Sequence, residues 1–285
     1  MPNTMPFSLS AEDAAATATY LKDLSDRSSN LTAVAQSLFA RCCLHDLSGS
    51  AFNLKGLGEE AGALGSRILN DPQPEQLGMD PVLLIEIYRR TRGSGTEPAG
   101  FRLLLERMAA ELAAQPEETR RIGRVRFIAS QLAALGFAIR PARPAREVEK
   151  MLRTPERWFT ASAAEIAEIA DHLLAGEEPL DRLSSRILSL IALAELRNYR
   201  VDLGCALLRV VFQLGERCQE SEDALNFIAL QRRRDGRYGF PNQMAESSGA
   251  GDDPHLKLYL PLTVNAVWLL SVEAASNWRQ IAVSA

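Results

Sequence analysis

Residues Leu230 to Leu270 read LQRRRDGRYGFPNQMAESSGAGDDPHLKLYLPLTVNAVWLL. The stretch opens at the end of a helical pattern, passes Gln231 and turns through Asp235-Gly236-Arg237-Tyr238-Gly239-Phe240-Pro241. A polar loop follows, then an apolar helical segment that starts at Pro261 and carries Trp268. Gly236 and Gly239 permit the positive φ of a tight turn, and Asp235 can hydrogen-bond its own backbone there. Tyr238 and Phe240 can fold back onto the helix ends. Proline suits a first helical position because the N–H it lacks has no partner there. Helix, tight turn, polar loop and apolar helix in this order point to an all-helical fold.

Working outward, nearly every segment carries helical periodicity and very little reads as strand. Ser10 opens a helix with Asp13 three residues on, and Asn30 caps a second through Leu31, Val34, Leu38 and Phe39. Phe52 to Leu69 forms a third. Its glycines 56, 58, 62 and 65 either permit close helix packing or break the helix beside a pocket. Asp80-Pro81 is an N-cap with proline at the first helical position. Further helices are expected over Phe101–Ala114 and Glu117–Leu135, and Gly136 ends the latter. Arginine alternates with proline around Arg140-Pro141-Ala142-Arg143-Pro144, so residues 138–147 read as a linker between two helical halves of one domain spanning 1–285.

In the second half Ser162 and Glu165 form a capping box, Gly176 stops that helix, and Asp181 opens a long apolar one through Ile187, Leu190, Ile191 and Leu196. Val201 to Leu214 is almost wholly apolar and belongs in the interior. Ser221 to Arg232 and a last helix from Pro261 complete roughly eleven or twelve helices. Buried and half-wet helices alternate along the chain, as they do when an inner layer is wrapped by an outer one.

Composition narrows the function classes. The 285 residues are 46% hydrophobic, 24% charged and 6% aromatic, with a net charge of −4, and the pI is near 5.6. An acidic balance argues against a nucleic-acid partner. Arg120-Arg121 and Arg232-Arg233-Arg234 read as polar faces or last turns of helices. No uninterrupted apolar run approaches the ~20 residues of a membrane span, and MPNTMPFSLSAEDAA lacks the basic and apolar regions of a signal peptide. A cytoplasmic protein without a membrane span is expected. Cys42, Cys43, Cys205 and Cys218 form no CxxC pair and read as buried free thiols.

Phe227 to Leu270 resembles the repeat of the α/α toroid in terpenoid cyclases and protein prenyltransferase β subunits. There a helix ends in Gln, an Asp-Gly-x-x-Gly turn follows, and a variable loop leads to the next inner helix. Here these are Gln231, Asp235 to Gly239, the loop through Ser248 and Asp253, and the helix from Pro261 through Trp268. The resemblance implies an all-α toroid with apolar inner and amphipathic outer helices. It also implies an enzyme acting on an apolar or amphipathic molecule in a central cavity.

The family's chemical motifs are missing. No Asp-x-Asp-Asp acid occurs, and the nearest string, Glu220-Ser221-Glu222-Asp223, sits at a helix start where the dipole favours carboxylates. No Asp-Asp-x-x-Asp magnesium motif occurs either. The zinc pattern Asp-x-Cys is met only as Asp202-Leu203-Gly204-Cys205, with one residue too many, and the position matching the His falls near Leu262-Thr263. No metal or other cofactor is therefore expected. Asp202, Glu59 and Glu60 remain as candidate catalytic acids, although a solvated helix face is the commoner role for a pair such as Glu59-Glu60. Asp235, Tyr238, Phe240, Tyr259, Trp268 and His255 are candidate ligand contacts. His45 meets a helix C-terminus, and His172 beside Asp171 reads as solvated.

Three functions stay open. One is a toroid enzyme with altered catalytic residues, of the kind found in specialised-metabolite pathways; the Ala-, Leu- and Arg-rich composition fits a high-GC bacterium. Another is a non-catalytic toroid that binds a peptide or partner enzyme, which a low aromatic content favours. The last is a helical-repeat scaffold without an enclosed pocket.

Overall fold

The computed structural model describes residues 9–48, 53–71, 78–93, 98–239 and 255–284, and these are all helix, turn and loop. The polar loop around Ser248 and Asp253, and Phe240, lie outside the described residues. Among the described residues thirteen α-helices follow in order: α1 Ala11–Arg27, α2 Leu31–Ser48, α3 Leu54–Leu69, α4 Pro81–Thr91, α5 Ala99–Ala113, α6 Glu117–Arg120, α7 Gly123–Ala134, α8 Arg146–Leu152, α9 Ala163–Gly176, α10 Arg182–Arg197, α11 Val201–Leu214, α12 Gln219–Ala229 and α13 Leu260–Ser284. A 3₁₀ turn, Pro155–Thr160, precedes α9, and a π-helical turn, His255–Tyr259, leads into α13.

Local chemistry starts these helices where the sequence says. The Asn30 side chain accepts from the Thr32 N–H at 2.9 Å, Asp80 from Val82 at 3.0 Å and Asp181 from Ser184 at 2.7 Å. Ser162 and Glu165 close a reciprocal capping box. Each such cap is worth about 1 kcal/mol.

Long-range packing sorts the helices into two sets. Helix α2 packs on α4, α4 on α7, α7 on α9, α9 on α11, α11 on α13, and α13 returns to α2. The others flank them: α1 lies on α2, α3 on α2 and α4, α5 on α4 and α7, α8 on α9, and α10 and α12 on α11. The six mutually packed helices hold much of the core, including Leu38, Phe39, Ile85, Leu132, Ile169, Leu207 and Leu269, all 1% exposed or less.

The turn at Asp235 ties the last of these elements to the first. Gly236 takes φ +87, and a Cβ there would collide with the Thr17 backbone. The Thr17 hydroxyl donates to the Gly236 carbonyl at 2.7 Å, and Arg232 pairs with Asp13 of α1. The Gly239 N–H donates to the Gln231 carbonyl at 3.0 Å, and the Tyr238 N–H to Thr263 Oγ1 of α13 at 3.0 Å. Gly239 lies flat against the Tyr259 ring.

Several expectations need correction. The helix expected over Glu117–Leu135 is two, α6 and α7, because the chain bends at Ile122 to bring Gly123 under α9. A Cβ on Gly123 would sit 2.7 Å from the Glu168 carbonyl oxygen, and the Gly123 N–H meets Glu168 Oε1 at 2.5 Å. Helix α12 starts two residues before Ser221 and ends three before Arg232, and α13 starts one residue before Pro261. Helix α3 is unbroken. Its Gly65 and Gly100 of α5 touch backbone to backbone, so close packing accounts for Gly65, whereas Gly62 meets nothing nearer than 4.0 Å and Gly56 meets only its own capping residue Asn53. Leu190 in α10 is 38% exposed rather than core. The 138–147 stretch is irregular as far as Ala145, and α7 holds it: Arg126 Nε donates to the Ala142 carbonyl at 2.7 Å.

One described segment, His255–Ser276, is long and apolar enough by composition to cross a membrane. No apolar run reached that length in the sequence because Lys257 and Glu273 interrupt it. Its apolar window is 61% buried in the protein, against α2 and α11, and a core helix meets the same criteria.

Candidate functional site

Five of the six mutually packed helices turn a stripe of side chains onto one cavity of about 930 Å³. On α11 the stripe is Asp202, Ala206, Arg209 and Gln213, spaced by four, three and four residues as one helix face requires. On α9 it is Ala163, Ala167, Ala170 and Leu174, whose small side chains leave the space open. Helix α7 presents Arg124, Phe127 and Gln131, α4 presents Glu86 and Arg89, and α13 presents Asn265 and Trp268. The wall is thus mostly polar, with Phe127 and Trp268 its aromatic members.

Three of the four arginines in this wall are paired with carboxylates. Arg124 bridges Asp80 at 2.5 Å and Asp171 at 3.3 Å. Arg89 holds Glu86 at 2.5 Å and also bonds Gln131. Glu86, a buried carboxylate, is gripped from its other side by Arg90, which reaches Asp46 at 2.8 Å. Arg200 pairs with Glu195 at 2.5 Å. Burial raises the pKa of Asp171, and Arg124 partly offsets this.

Arg209 is the exception among the arginines. It is 9% exposed, and among the described residues no carboxylate lies within ion-pair distance. Its Nη1 donates to Asn265 Oδ1 at 3.3 Å, and its guanidinium lies 3.6 Å from the centroid of the Trp268 ring. Both contacts are held from behind. Asn265 Nδ2 donates to the Pro261 carbonyl at 3.0 Å, which turns Oδ1 toward Arg209. Phe39 packs edge-on to Trp268, 5.1 Å between centroids. Burial pushes the Arg209 pKa down to about 10, while Asp80 and Glu86 act on it only from a distance.

The expected site residues divide. Asp202 and Trp268 line the cavity. Glu59 and Glu60 do not. Glu59 points outward with its side chain 62% exposed, 4.0 Å from Lys55, and Glu60 pairs with buried Arg41. The pairing explains their burial pattern without any pocket. Asp235 and Tyr238 belong to the turn and Tyr259 packs against it: Asp235 pairs with Arg237 at 2.9 Å, and Arg237 stacks over Tyr259 at 4.3 Å. His255 sits 3.5 Å from the Tyr20 hydroxyl in a separate surface hollow of about 250 Å³. Asp202 and His255 are therefore not brought together.

His172 is a correction too, being 2% exposed rather than solvated. Its Nδ1 meets Arg126 Nη1 at 2.5 Å, and its Nε2 lies 3.2 Å from Glu168. Cys42, Cys43 and Cys205 are buried, and Cys218 is half-buried. Burial pushes the Cys43 and Cys205 thiols up to about 12, which keeps them protonated and unreactive. Among the described residues no group of three or more His, Cys, Asp or Glu is placed to hold a metal ion.

Sequence reasoning missed Arg209, Asn265, Arg124 and Asp171. The available signal was a polar stripe at helical spacing inside helices otherwise apolar enough for the core. In α11 that stripe is Asp202, Arg209 and Gln213, which marks a face turned to a cavity instead of to packed side chains. Comparison with protein-family models, with curated proteins and with solved structures found no match.

Proposed function

We propose that the protein is an α/α toroid of the terpenoid-cyclase and prenyltransferase kind, and that it acts on a small amphipathic molecule held in its central cavity. The observation that carries this reading is the 930 Å³ cavity onto which stripes of α4, α7, α9, α11 and α13 converge. Its size is that of small-molecule sites. The cyclic order of helix contacts supports the toroid. A wall of arginines, carboxylates and amides with only two aromatics suits an amphipathic guest better than a hydrocarbon carbocation. In an enzyme of this form Asp202 is the acid–base group. It lines the cavity, and among the described residues no cation neutralises it.

A non-catalytic binding protein is the second reading. It is favoured by Asp80, Glu86 and Asp171 being engaged by arginines rather than presented free to a guest.

The test uses a neutral amphipathic fluorophore, the methyl ester of 11-(dansylamino)undecanoic acid. The wild-type protein is expected to bind it at one saturable site. Ala206→Trp and Ala167→Trp, each filling the cavity from a different helix, should remove that site while leaving the helical circular dichroism unchanged. Undiminished binding in both folded variants would refute the cavity reading.

A further inference from the structure

Three arginines of the cavity wall have carboxylate partners and one does not. Taking a guanidinium out of water costs several kcal/mol unless an anion compensates it. Arg209 is nine-tenths buried, and an asparagine oxygen and an indole face compensate it only partly. Nothing about folding requires this arrangement, because a Met or Leu would fill the same place on α11 without the penalty. The supports behind it are nevertheless elaborate. Asn265 is oriented by the Pro261 carbonyl, and Trp268 is braced by Phe39. They hold the guanidinium over the ring, 3.6 Å from its centroid, in a side chain that lines the cavity.

We infer that Arg209 is the anchor for a carboxylate on the amphipathic ligand, with Trp268 packing the ligand's apolar part beside it. The inference rests on the cavity reading above. The charge of the wall argues for a single negative charge rather than a polyanion. Four arginines face five carboxylates there: Asp80, Glu86, Asp171, Glu177 and Asp202. Three of those arginines are already paired, so one guanidinium remains, and Asp202 and Glu177, unpaired among the described residues, weigh against any second anionic group on the ligand. A planar guanidinium fork offers two parallel donors, which matches one carboxylate. A diphosphate would place its additional charge among the carboxylates.

The experiment compares 11-(dansylamino)undecanoic acid with its methyl ester, two probes that differ only in the charge. The wild-type protein should bind the acid at least about tenfold more tightly than the ester, as a charge-assisted bond warrants. Arg209→Met should erase that preference, so that this variant binds acid and ester with equal affinity. Equal binding of acid and ester by the wild type, or a preference that survives Arg209→Met, would overturn the assignment. If Ala206→Trp leaves ester binding intact, the cavity reading itself has failed, which is a different result from a lost acid preference.

Thermal melting supplies a second readout that does not depend on probes. Arg209→Met should raise the Tm of the ligand-free protein, because it removes an uncompensated buried charge. A lower Tm would make Arg209 a structural residue instead. Finally, geranic acid should displace the dansyl acid and geranyl diphosphate should not. The reverse order would overturn the carboxylate in favour of a phosphorylated ligand.

Discussion

Residue environments here depend on partners that the sequence does not announce. Arg124 and Arg209 are both arginines on cavity-facing helices, yet one bridges two carboxylates and the other has none. His172 shows the same dependence. Next to Asp171 on an amphipathic helix it reads as solvated, but in the fold it is buried between Arg126 and Glu168. Its pKa is lowered, chiefly by burial and then by the Arg126 charge, with Glu168 pulling the other way. A histidine with a depressed folded-state pKa binds its proton more weakly when folded. The native protein is therefore favoured above the unfolded value, near 6.5, and loses stability as pH falls below it. Urea unfolding of the wild type should accordingly show a falling midpoint from pH 7 toward pH 5. His172→Gln, which keeps a polar group facing Arg126, should flatten that slope. An unchanged slope would show that the loss arises elsewhere.

At the scale of elements, helix starts were legible and helix ends and breaks less so. A cap is a contact between neighbours in sequence, so Asn30, Asp80, Ser162 and Asp181 could be identified directly. The break at Ile122 and the role of the α3 glycines depend on another helix and could not. Gly65 and Gly62 illustrate this, since both lie inside α3. A Cβ on Gly65 would be 2.6 Å from the Phe101 backbone nitrogen, whereas one on Gly62 meets nothing nearer than 4.0 Å. Gly65→Ala should thus destabilise the protein by roughly 2–4 kcal/mol, because backbone cannot move aside. Gly62→Ala should stabilise it by about 0.5–1 kcal/mol through helix propensity. Denaturant midpoints of the two variants check the contrast, and equal effects would mean that α3 and α5 do not cross so closely.

For the whole molecule, the decisive contacts join the chain's beginning to its end. Helix α13 packs on α2, and the Asp235 turn presses on α1 beside Thr17. Gly236→Ala combines an unfavourable positive φ with a collision against backbone. It should cost roughly 2–4 kcal/mol and expose the 232–239 turn to limited proteolysis. Gly136 provides the control. It also has positive φ, +90, but a Cβ there meets nothing within 4 Å, so Gly136→Ala should cost only the backbone strain of about 1 kcal/mol. Similar losses from the two variants would mean that the turn does not clamp α1. The opening stretch of sequence, which first offered candidate ligand residues, serves mainly as this clamp. Of its members outside the turn, Asn265 and Trp268 reach the cavity.

By itself the sequence determined the helical content, the starts of the capped helices, the burial of α11 and the turn that joins α12 to α13. These follow from interactions spanning a few residues, where periodicity, capping and glycine's conformational range act. Only the tertiary structure decided which faces meet the cavity, that Glu59 and Glu60 lie away from it, and that Arg209 alone among the wall's arginines is uncompensated. Charge compensation is set by distance in space. Arg124 finds its carboxylates 44 and 47 residues away in the chain, and no local pattern records that Arg209 finds none.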